Sequence, residues 1–529
     1  MMKEETLTTY DDVLYPSYPF PQAHPDRLAT LATLFGMKPA RIDACRVLEI
    51  GCGDGANLIP MALSLPCSSF VGIDLAQSPI ARGQAMAGAL GLCNITLQQL
   101  DILELSPAFG EFDYIIAHGF YSWVPAAVRD KLMAICKANL APDGVAYISY
   151  NTYPGGHLRE MIREMMLFHI RDFEKPADRI GQARALVKFL AEADSGPELY
   201  RMILASLDQE IGGLSDGWLF HDHLADVNSH VYFNQFINHA RQNGLQYLAE
   251  ADFFDMQYET LAPEISGTLR QLADDDILAC EQYLDFLTCR RFRQTLLCHE
   301  QVTIDRALDP ERVTNLFVAS SAYPVSREPV INSTAVEMFK GNKGATLSTN
   351  HPLTKAAMLQ LGRVWPASLH FDDLIGTARL ELNPGLARKN GDIARDDRLR
   401  LGEFLLKAYA ANLIELHSHA SQFVLEAGKH PTASLLARLQ LEKGTTATTL
   451  RHTSVQVMDG VGRKLLVMLD GTRDRDALLE ELGRLVVSGQ IMIEREGRAI
   501  SDTEAALNFL ADELEHNLAA IARLALLTA

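Results

Sequence analysis

No stretch of this 529-residue chain stays apolar over the ~20 residues needed to cross a bilayer. Residues 1–12 also lack the basic and apolar pattern of a secretory leader, since they hold Glu4, Glu5, Asp11 and Asp12 against Lys3 alone. Basic residues are in short supply: 48 Lys and Arg face 67 Asp and Glu, a formal net charge of −19. A surface of that sign repels phosphate backbones, so nucleic acid is not the expected substrate, and a cationic acceptor such as lysine suits the charge better. The eight cysteines include no Cys-x-x-Cys pair, and Cys45, Cys67, Cys93 and Cys136 sit among apolar neighbours. They read as free thiols of a reducing, cytoplasmic compartment. On a helix, the spacing of Cys280, Cys289 and Cys298 would turn successive thiols to opposite faces, so it sets no metal site. Low-complexity tracts and internal repeats are missing as well. What is left is a globular chain too long for one core.

The first 150 residues alternate strand-like and helix-like runs. Arg46-Val-Leu-Glu-Ile-Gly and Ser69-Phe-Val-Gly-Ile-Asp read as strands, with helices expected over 57–65 and 77–90. Residues 94–100, Glu111-Phe-Asp-Tyr-Ile-Ile-Ala and Gly144-Val-Ala-Tyr-Ile-Ser-Tyr supply three more strands, the last entered through a turn at Ala141-Pro-Asp-Gly. That order predicts an α/β fold, a Rossmann-like, doubly wound and mostly parallel sheet, over residues 1–165 with an N-terminal cap.

Beyond it the periodicity is helical. Leu158, Met161, Ile162, Met165 and Met166 form one stripe, and further helices are expected over 231–242 and 276–297. A mainly helical middle domain over 166–395 follows, with a loop or hairpin at 341–349, a break at Trp365-Pro366 and a polar boundary over 383–397. Residues 396–529 mix strands (449–458) with helices (465–469, 474–485), the order of a small α+β, winged-helix-like domain. Ser501-Asp-Thr-Glu reads as the capping box of a last helix striped by Leu507, Leu510, Leu514, Leu518 and Ile521.

The chemistry concentrates at the carboxyl ends of the first strands. Glu49-Ile-Gly51-Cys-Gly53-Asp-Gly55 closes strand one, and its glycines allow a tight turn and close approach of backbone to a ligand. Asp74 ends strand two about 20 residues later, where a carboxylate accepts from ribose hydroxyls, and Leu75 follows it. Asp101 and Ile102 come after strand three, an acid and an apolar side chain for the adenine. His118-Gly-Phe-Tyr-Ser-Trp-Val-Pro follows strand four. The spacing differs from the Gly-x-Gly-x-x-Gly of dinucleotide sites, which points to S-adenosylmethionine (SAM) instead of NAD.

At these residues the chain resembles class I SAM-dependent methyltransferases over 10–168. Further strings extend the likeness: Tyr18-Pro-Phe-Pro-Gln-Ala-His-Pro-Asp-Arg-Leu-Ala, Ser149-Tyr-Asn-Thr-Tyr-Pro-Gly-Gly, Phe220-His-Asp-His-Leu, Asn234-Gln-Phe, Gly244-Leu-Gln-Tyr and Glu281-Gln-Tyr-Leu-Asp-Phe-Leu. With them the chain is similar to a bacterial group that carries a methyltransferase regulatory domain and includes protein lysine methyltransferases acting on outer-membrane proteins. The resemblance implies SAM as methyl donor and a protein lysine as acceptor. A small-molecule or lipid methyltransferase, or a non-catalytic SAM-binding regulator, are the alternatives.

Glu49, Gly51, Gly53, Gly55, Asp74, Leu75, Asp101, Ile102 and His118 are the expected cofactor residues, with Arg27 as a partner for the methionine carboxylate. Tyr121, Trp123, Asn151 and Tyr153, with Tyr150, are the expected acceptor wall, because aromatic faces desolvate an amine and tolerate a sulfonium. His118 is also a candidate proton relay, and residues 15–27 are expected to close over the cofactor. His221, Asp222 and His223, with His230 and His239, lack metal-ligand spacing and read as structural. Arg290, Arg291 and Arg293 read as a salt-bridged face, or alternatively as a docking surface. The appended domains are expected to position the acceptor, so that a chain cut near Ala262 would keep SAM binding if folded.

Overall fold

The computed structural model describes residue 13 and residues 15–529, except 194, 259–260, 343, 384–394, 493, 496–497 and 500–502. The described chain forms two compact units. One gathers the residues up to Ser17 with Met37–Ile59 and Cys67–Ile304; the other gathers Tyr18–Gly36, Pro60–Pro66 and Asp305–Ala529.

The first unit is built on strands β1 (Arg46–Ile50), β2 (Ser69–Asp74), β3 (Ile95–Gln99), β4 (Phe112–Ala117), β5 (Leu140–Asn151), β6 (Leu245–Glu250) and β7 (Phe292–His299). They lie side by side in the order β3-β2-β1-β4-β5-β7-β6. The first five run parallel, and β7 is antiparallel to both β5 and β6. In β1 the run Val47-Leu-Glu-Ile50 is buried without alternation, as expected of a strand covered on both faces. Ile50, Ile115, Ile148, Leu132 and Phe236 share one apolar core on one side of the sheet. Strand order reverses between β1 and β4, and that reversal opens a crevice at the carboxyl ends, where ligands of such sheets bind.

Two sequence expectations change here. The turn at 141–144 is a bulge inside β5, because Phe112 pairs with Leu140 while Tyr114 pairs with Val145. The helix expected over 276–297 stops early: Ile277–Thr288 is helical, Cys289 takes φ 51°, and the chain leaves as β7. Cys280, Cys289 and Cys298 therefore lie on a helix, at its left-handed cap and on a strand. The middle region is mainly helical, as expected, and it also returns β6 and β7 to the sheet.

A buried ionic network fixes β7. Arg293 is fully buried and donates to Glu250 Oε1 (2.6 Å), Glu281 Oε2 (3.0 Å) and Asp285 Oδ1 (2.8 Å), while its guanidinium lies 4.1 Å from the Phe233 ring centre. Arg290 pairs with Asp285 and Arg291 with Glu210, so the arginine cluster is a salt-bridged one, tied into the fold. Burial outweighs these partners at Glu281 and pushes its carboxyl up to about 7.

In the second unit, helix Pro25–Leu34 is fastened through Asp26. The Asp26 carboxylate accepts from His417 Nδ1 (2.7 Å), Ser418 N (2.6 Å) and Ser418 Oγ (2.8 Å). The hairpin expected near 341–349 forms from Glu337–Lys340 and Thr346–Thr349, and helix Pro352–Val364 ends at the Trp365-Pro366 break. The C-terminal module sets helices Leu435–Lys443, Gly460–Met468 and Arg475–Val487 beside strands Thr446–Thr448 and Ser454–Gln456, then a short hairpin, Glu494–Arg495 with Arg498–Ala499. Helix Thr503–Arg523 closes it, packing Leu510, Leu514, Leu518 and Ile521 against Leu465 and Leu478. Leu507 is exposed, so the stripe starts one turn later than expected. The capping box at 501–504 begins outside the described residues.

Candidate active site

The glycine loop after β1 takes a shape that side chains resist. Gly51, Gly53 and Gly55 have φ of +75°, +55° and +74°, and a Cβ on Gly51 would come within 2.8 Å of Phe120. Gly53 N donates to Asp74 Oδ2 (2.8 Å) and Ala76 N to Asp74 Oδ1 (2.9 Å), so the carboxylate that ends β2 also holds the loop. Burial pushes the Asp74 carboxyl up against the pull of these amides. Behind the loop, Glu49 Oε1 accepts from Asn57 Nδ2 (2.8 Å). Its Oε2 is buried with no partner among the described residues, and burial pushes the carboxyl up to about 8. A buried oxygen without a donor is costly. Beside a glycine cradle, it fits the cationic amine of a methionyl group.

Around the crevice, Leu75 is 45% exposed and available to a flat ring, whereas Ile102 is buried in the core cluster. Asp101 Oδ1 accepts from Leu103 N (2.9 Å) and so caps a short helical turn. His118 Nδ1 lies 2.8 Å from the Tyr147 hydroxyl, which donates onward to Gln294 Oε1 (2.7 Å). The hydroxyl hydrogen is spent on Gln294, so His118 Nδ1 carries its own proton toward Tyr147. Burial pushes this imidazole down to about 3, which keeps it neutral.

The expected acceptor wall divides. Tyr121 is 3% exposed, sits beside Tyr150 and Phe236, and hydrogen-bonds His239 Nδ1 (2.9 Å): it belongs to the core. Tyr150 is likewise internal, stacked on Phe236 at 4.0 Å. Tyr121 opens a 3-10 turn and Tyr150 lies on β5, and both join the apolar core packed on the sheet. Trp123 is partly buried, and its Nε1 has no partner among the described residues. Asn151 ends β5; its N donates to Ser122 Oγ (2.8 Å) and its Nδ2 to Asn228 Oδ1 (2.9 Å). Tyr153 is held between the rings of His157 (4.0 Å) and His230 (5.4 Å) and donates to Glu160 Oε2 (2.8 Å).

Ser122, Ser149, Asn228 and His230 lie against the candidate residues and their loops, a placement that spacing did not reveal. Ser149 Oγ accepts from Gly119 N (2.8 Å) and ties the two loops together. His230 is buried, with neither ring nitrogen partnered among the described residues. Arg27 belongs to the second unit, where Nη1 donates to the Tyr409 hydroxyl (3.3 Å) beside a cavity of about 140 Å³ lined by His24, His417, His419 and His452. Its pairing with a methionine carboxylate rests on the sequence alone. Of the stretch 15–27, Tyr15 lies against His221 in the first unit (ring centres 5.7 Å apart), while Tyr18 onward belongs to the second. Among the described residues, no three His, Cys, Asp or Glu side chains form a metal-ligand set, and no helix is long and apolar enough to cross a membrane.

Comparison with known proteins agrees with this geometry. Residues 47–144 match the model of a "Methyltransferase domain", 215–299 that of a "Predicted methyltransferase regulatory domain", and 429–526 that of the "PKMT, C-terminal winged helix domain". The uncharacterized protein RP789 of Rickettsia prowazekii is 35% identical over 501 residues, 94% of this chain and 89% of that protein. RP028 of the same organism is 36% identical over 249 residues, 47% of this chain and all of its own length. The structure of PKMT2 from Rickettsia typhi in complex with AdoHcy superposes with a TM-score of 0.84 at 27% identity, over 97% of this chain and 100% of that one. A glycine loop at the carboxyl edge of a seven-stranded sheet, a full-length relative and three successive family matches give one conclusion: the chain belongs to the SAM-dependent methyltransferases that carry a methyltransferase regulatory domain and a PKMT winged-helix domain.

Proposed function

We propose that this methyltransferase modifies lysine side chains of a protein. The observation that carries the reading is the extent of the likeness to PKMT2, which includes the C-terminal winged helix as well as the catalytic sheet. SAM, when bound, supplies a sulfonium methyl whose carbon an amine lone pair attacks in line, with S-adenosylhomocysteine leaving on the electrons of the broken C–S bond. For that cosubstrate, Glu49 Oε2 would hold the α-ammonium and the glycine loop would approach the methionyl chain. Asp74 would accept from the ribose, with Leu75 and Asp101 beside the adenine. Asn151, Trp123 and Tyr153 would border the acceptor, while Tyr121 supports them from the core. The neutral His118 orients the loop after β4 through Tyr147, so it suits positioning better than proton relay.

Lysine arrives as an ammonium with pKa about 10.4 and must lose a proton to expose a lone pair. A crevice walled by aromatic side chains favours the neutral amine by desolvation. The free cysteines accord with work in the cytoplasm. A division into catalytic (1–165), middle (166–395) and C-terminal (396–529) domains is part of the same proposal, with β6 and β7 lent to the first by the second. The test is a cell lysate incubated with the enzyme and tritiated SAM, then split into protein, lipid and small-molecule fractions. Label in protein is expected; label confined to lipid or metabolites would favour the alternative acceptors, and no label at all a non-catalytic SAM binder.

A further inference from the structure

The string Phe220-His-Asp-His-Leu leaves ordinary helical geometry. Leu219–His223 form a π-turn after the short helix Asp216–Trp218, and such turns often mark places where a side chain must be aimed for function. Leu219, Phe220 and Leu224 enter the apolar core shared by Gly156–Ile170 and Glu198–Gly213. His221 Nε2 is tied to Val13 O (2.8 Å), and His223 is buried. Asp222 is the polar residue this turn leaves partly open to solvent.

Its carboxylate is poorly provided for. Among the described residues it accepts one hydrogen bond, from the Tyr15 hydroxyl at 3.4 Å, and no cation lies within ion-pair distance. Arg159, the cation that acts on it from farther off, is paired with Glu210 at 2.7 Å. Burial pushes the Asp222 carboxyl up to about 6, so it is ionised at neutral pH with no cationic partner among the described residues. Holding a charge that way costs free energy that an incoming cation would offset.

The backbone that carries Asp222 is hydrogen-bonded to residues of the proposed acceptor site. Asn228 Nδ2 donates to the Asp222 carbonyl (2.7 Å), and Asn228 Oδ1 accepts from Asn151 Nδ2 at the end of β5. Next to it, Ser229 N donates to Ser122 O (2.7 Å) in the loop after β4. The Tyr15 ring, packed edge-on to His221, gives one aromatic wall. We infer that Asp222, with Tyr15 beside it, receives the ammonium of the acceptor lysine at the mouth of the site. The segment 215–299 then reads the acceptor directly. This rests on the lysine reading above and gives it a recognition residue. A neutral side chain would gain only an ordinary hydrogen bond here, and an anion would be repelled.

The test uses the full-length chain saturated with S-adenosylhomocysteine and two probes of equal length, n-butylammonium and 1-butanol, followed by NMR titration. Wild type should prefer the cation by about tenfold, the strength of one charge-assisted contact. Asp222→Asn should reduce that preference to about threefold or less, with affinity for S-adenosylhomocysteine unchanged, whereas Asp222→Glu should keep it. An undiminished preference in Asp222→Asn would overturn the inference. If that variant does not fold, loss of the preference in a folded Asp222→Glu would overturn it equally. Wild type that prefers neither probe would refute the role of Asp222 and leave the lysine reading to the fractionated-label experiment.

Discussion

At the scale of single residues, the proposed cofactor site rests on Glu49 and Asp74, which glycine spacing and strand ends single out. Their environment was not legible. That Glu49 keeps one oxygen without a donor depends on packing from several segments. Below about pH 8 the free enzyme holds Glu49 protonated, and an α-ammonium requires the carboxylate. Affinity for S-adenosylhomocysteine should therefore rise as pH climbs from 6.5 to about 8, and Glu49→Gln should flatten that rise in calorimetry. Equal pH dependence in both proteins would remove Glu49 from the amine site. Asp74→Ala should weaken SAM binding by at least ~1.4 kcal/mol, about tenfold, because ribose contacts and the clamp on Gly53 go together. Tyr121→Ala, at a residue the sequence assigns to the acceptor wall, should lower stability by ~3–5 kcal/mol, the usual cost of deleting a buried aromatic ring. An unchanged denaturation midpoint would contradict its core position.

At the scale of elements, the parallel strands β1 to β4 were read to within about two residues, because apolar runs and punctuating glycines mark them. β6 and β7 were missed for a physical reason. Leu245–Glu250 is buried almost throughout and shows no alternation, and Phe292–His299 continues the apolar spacing of the preceding helix. The chain breaks between them at Cys289, in a left-handed conformation usually announced by Gly or Asn. The string Glu281-Gln-Tyr-Leu-Asp285 had a family look but no evident purpose; it supplies two carboxylates to Arg293. Arg293→Ala should cost ~3–5 kcal/mol, since removing one partner leaves buried carboxylates uncompensated. Urea denaturation reads this directly, and a loss below ~1 kcal/mol would mean the network relaxes or hydrates.

At the scale of the whole molecule, the seven-stranded sheet draws β6 and β7 from the middle region. A cut near Ala262 removes β7, the strand between β5 and β6, so that truncation should not fold, and a soluble fragment binding SAM would contradict the sheet order. The second unit has its own titration. Burial lowers the His417 imidazole, but Asp26 and Glu415 outweigh it and hold it up at about 9, above its ordinary 6.5. A raised folded-state value stabilises below the unfolded value and loses that contribution as pH rises through the folded one. The second unit's thermal midpoint should fall between pH 7 and 10, and less steeply in His417→Gln. Protein lysine methylation remains the central claim, and tandem mass spectrometry localises it. Full-length enzyme, SAM with a deuterated methyl and a bacterial protein extract should yield peptides carrying the label on lysine Nζ, and markedly less label at sub-saturating SAM when Asp74→Ala enzyme replaces wild type. Label found on other side chains, or on no peptide while SAM is consumed, would contradict the account.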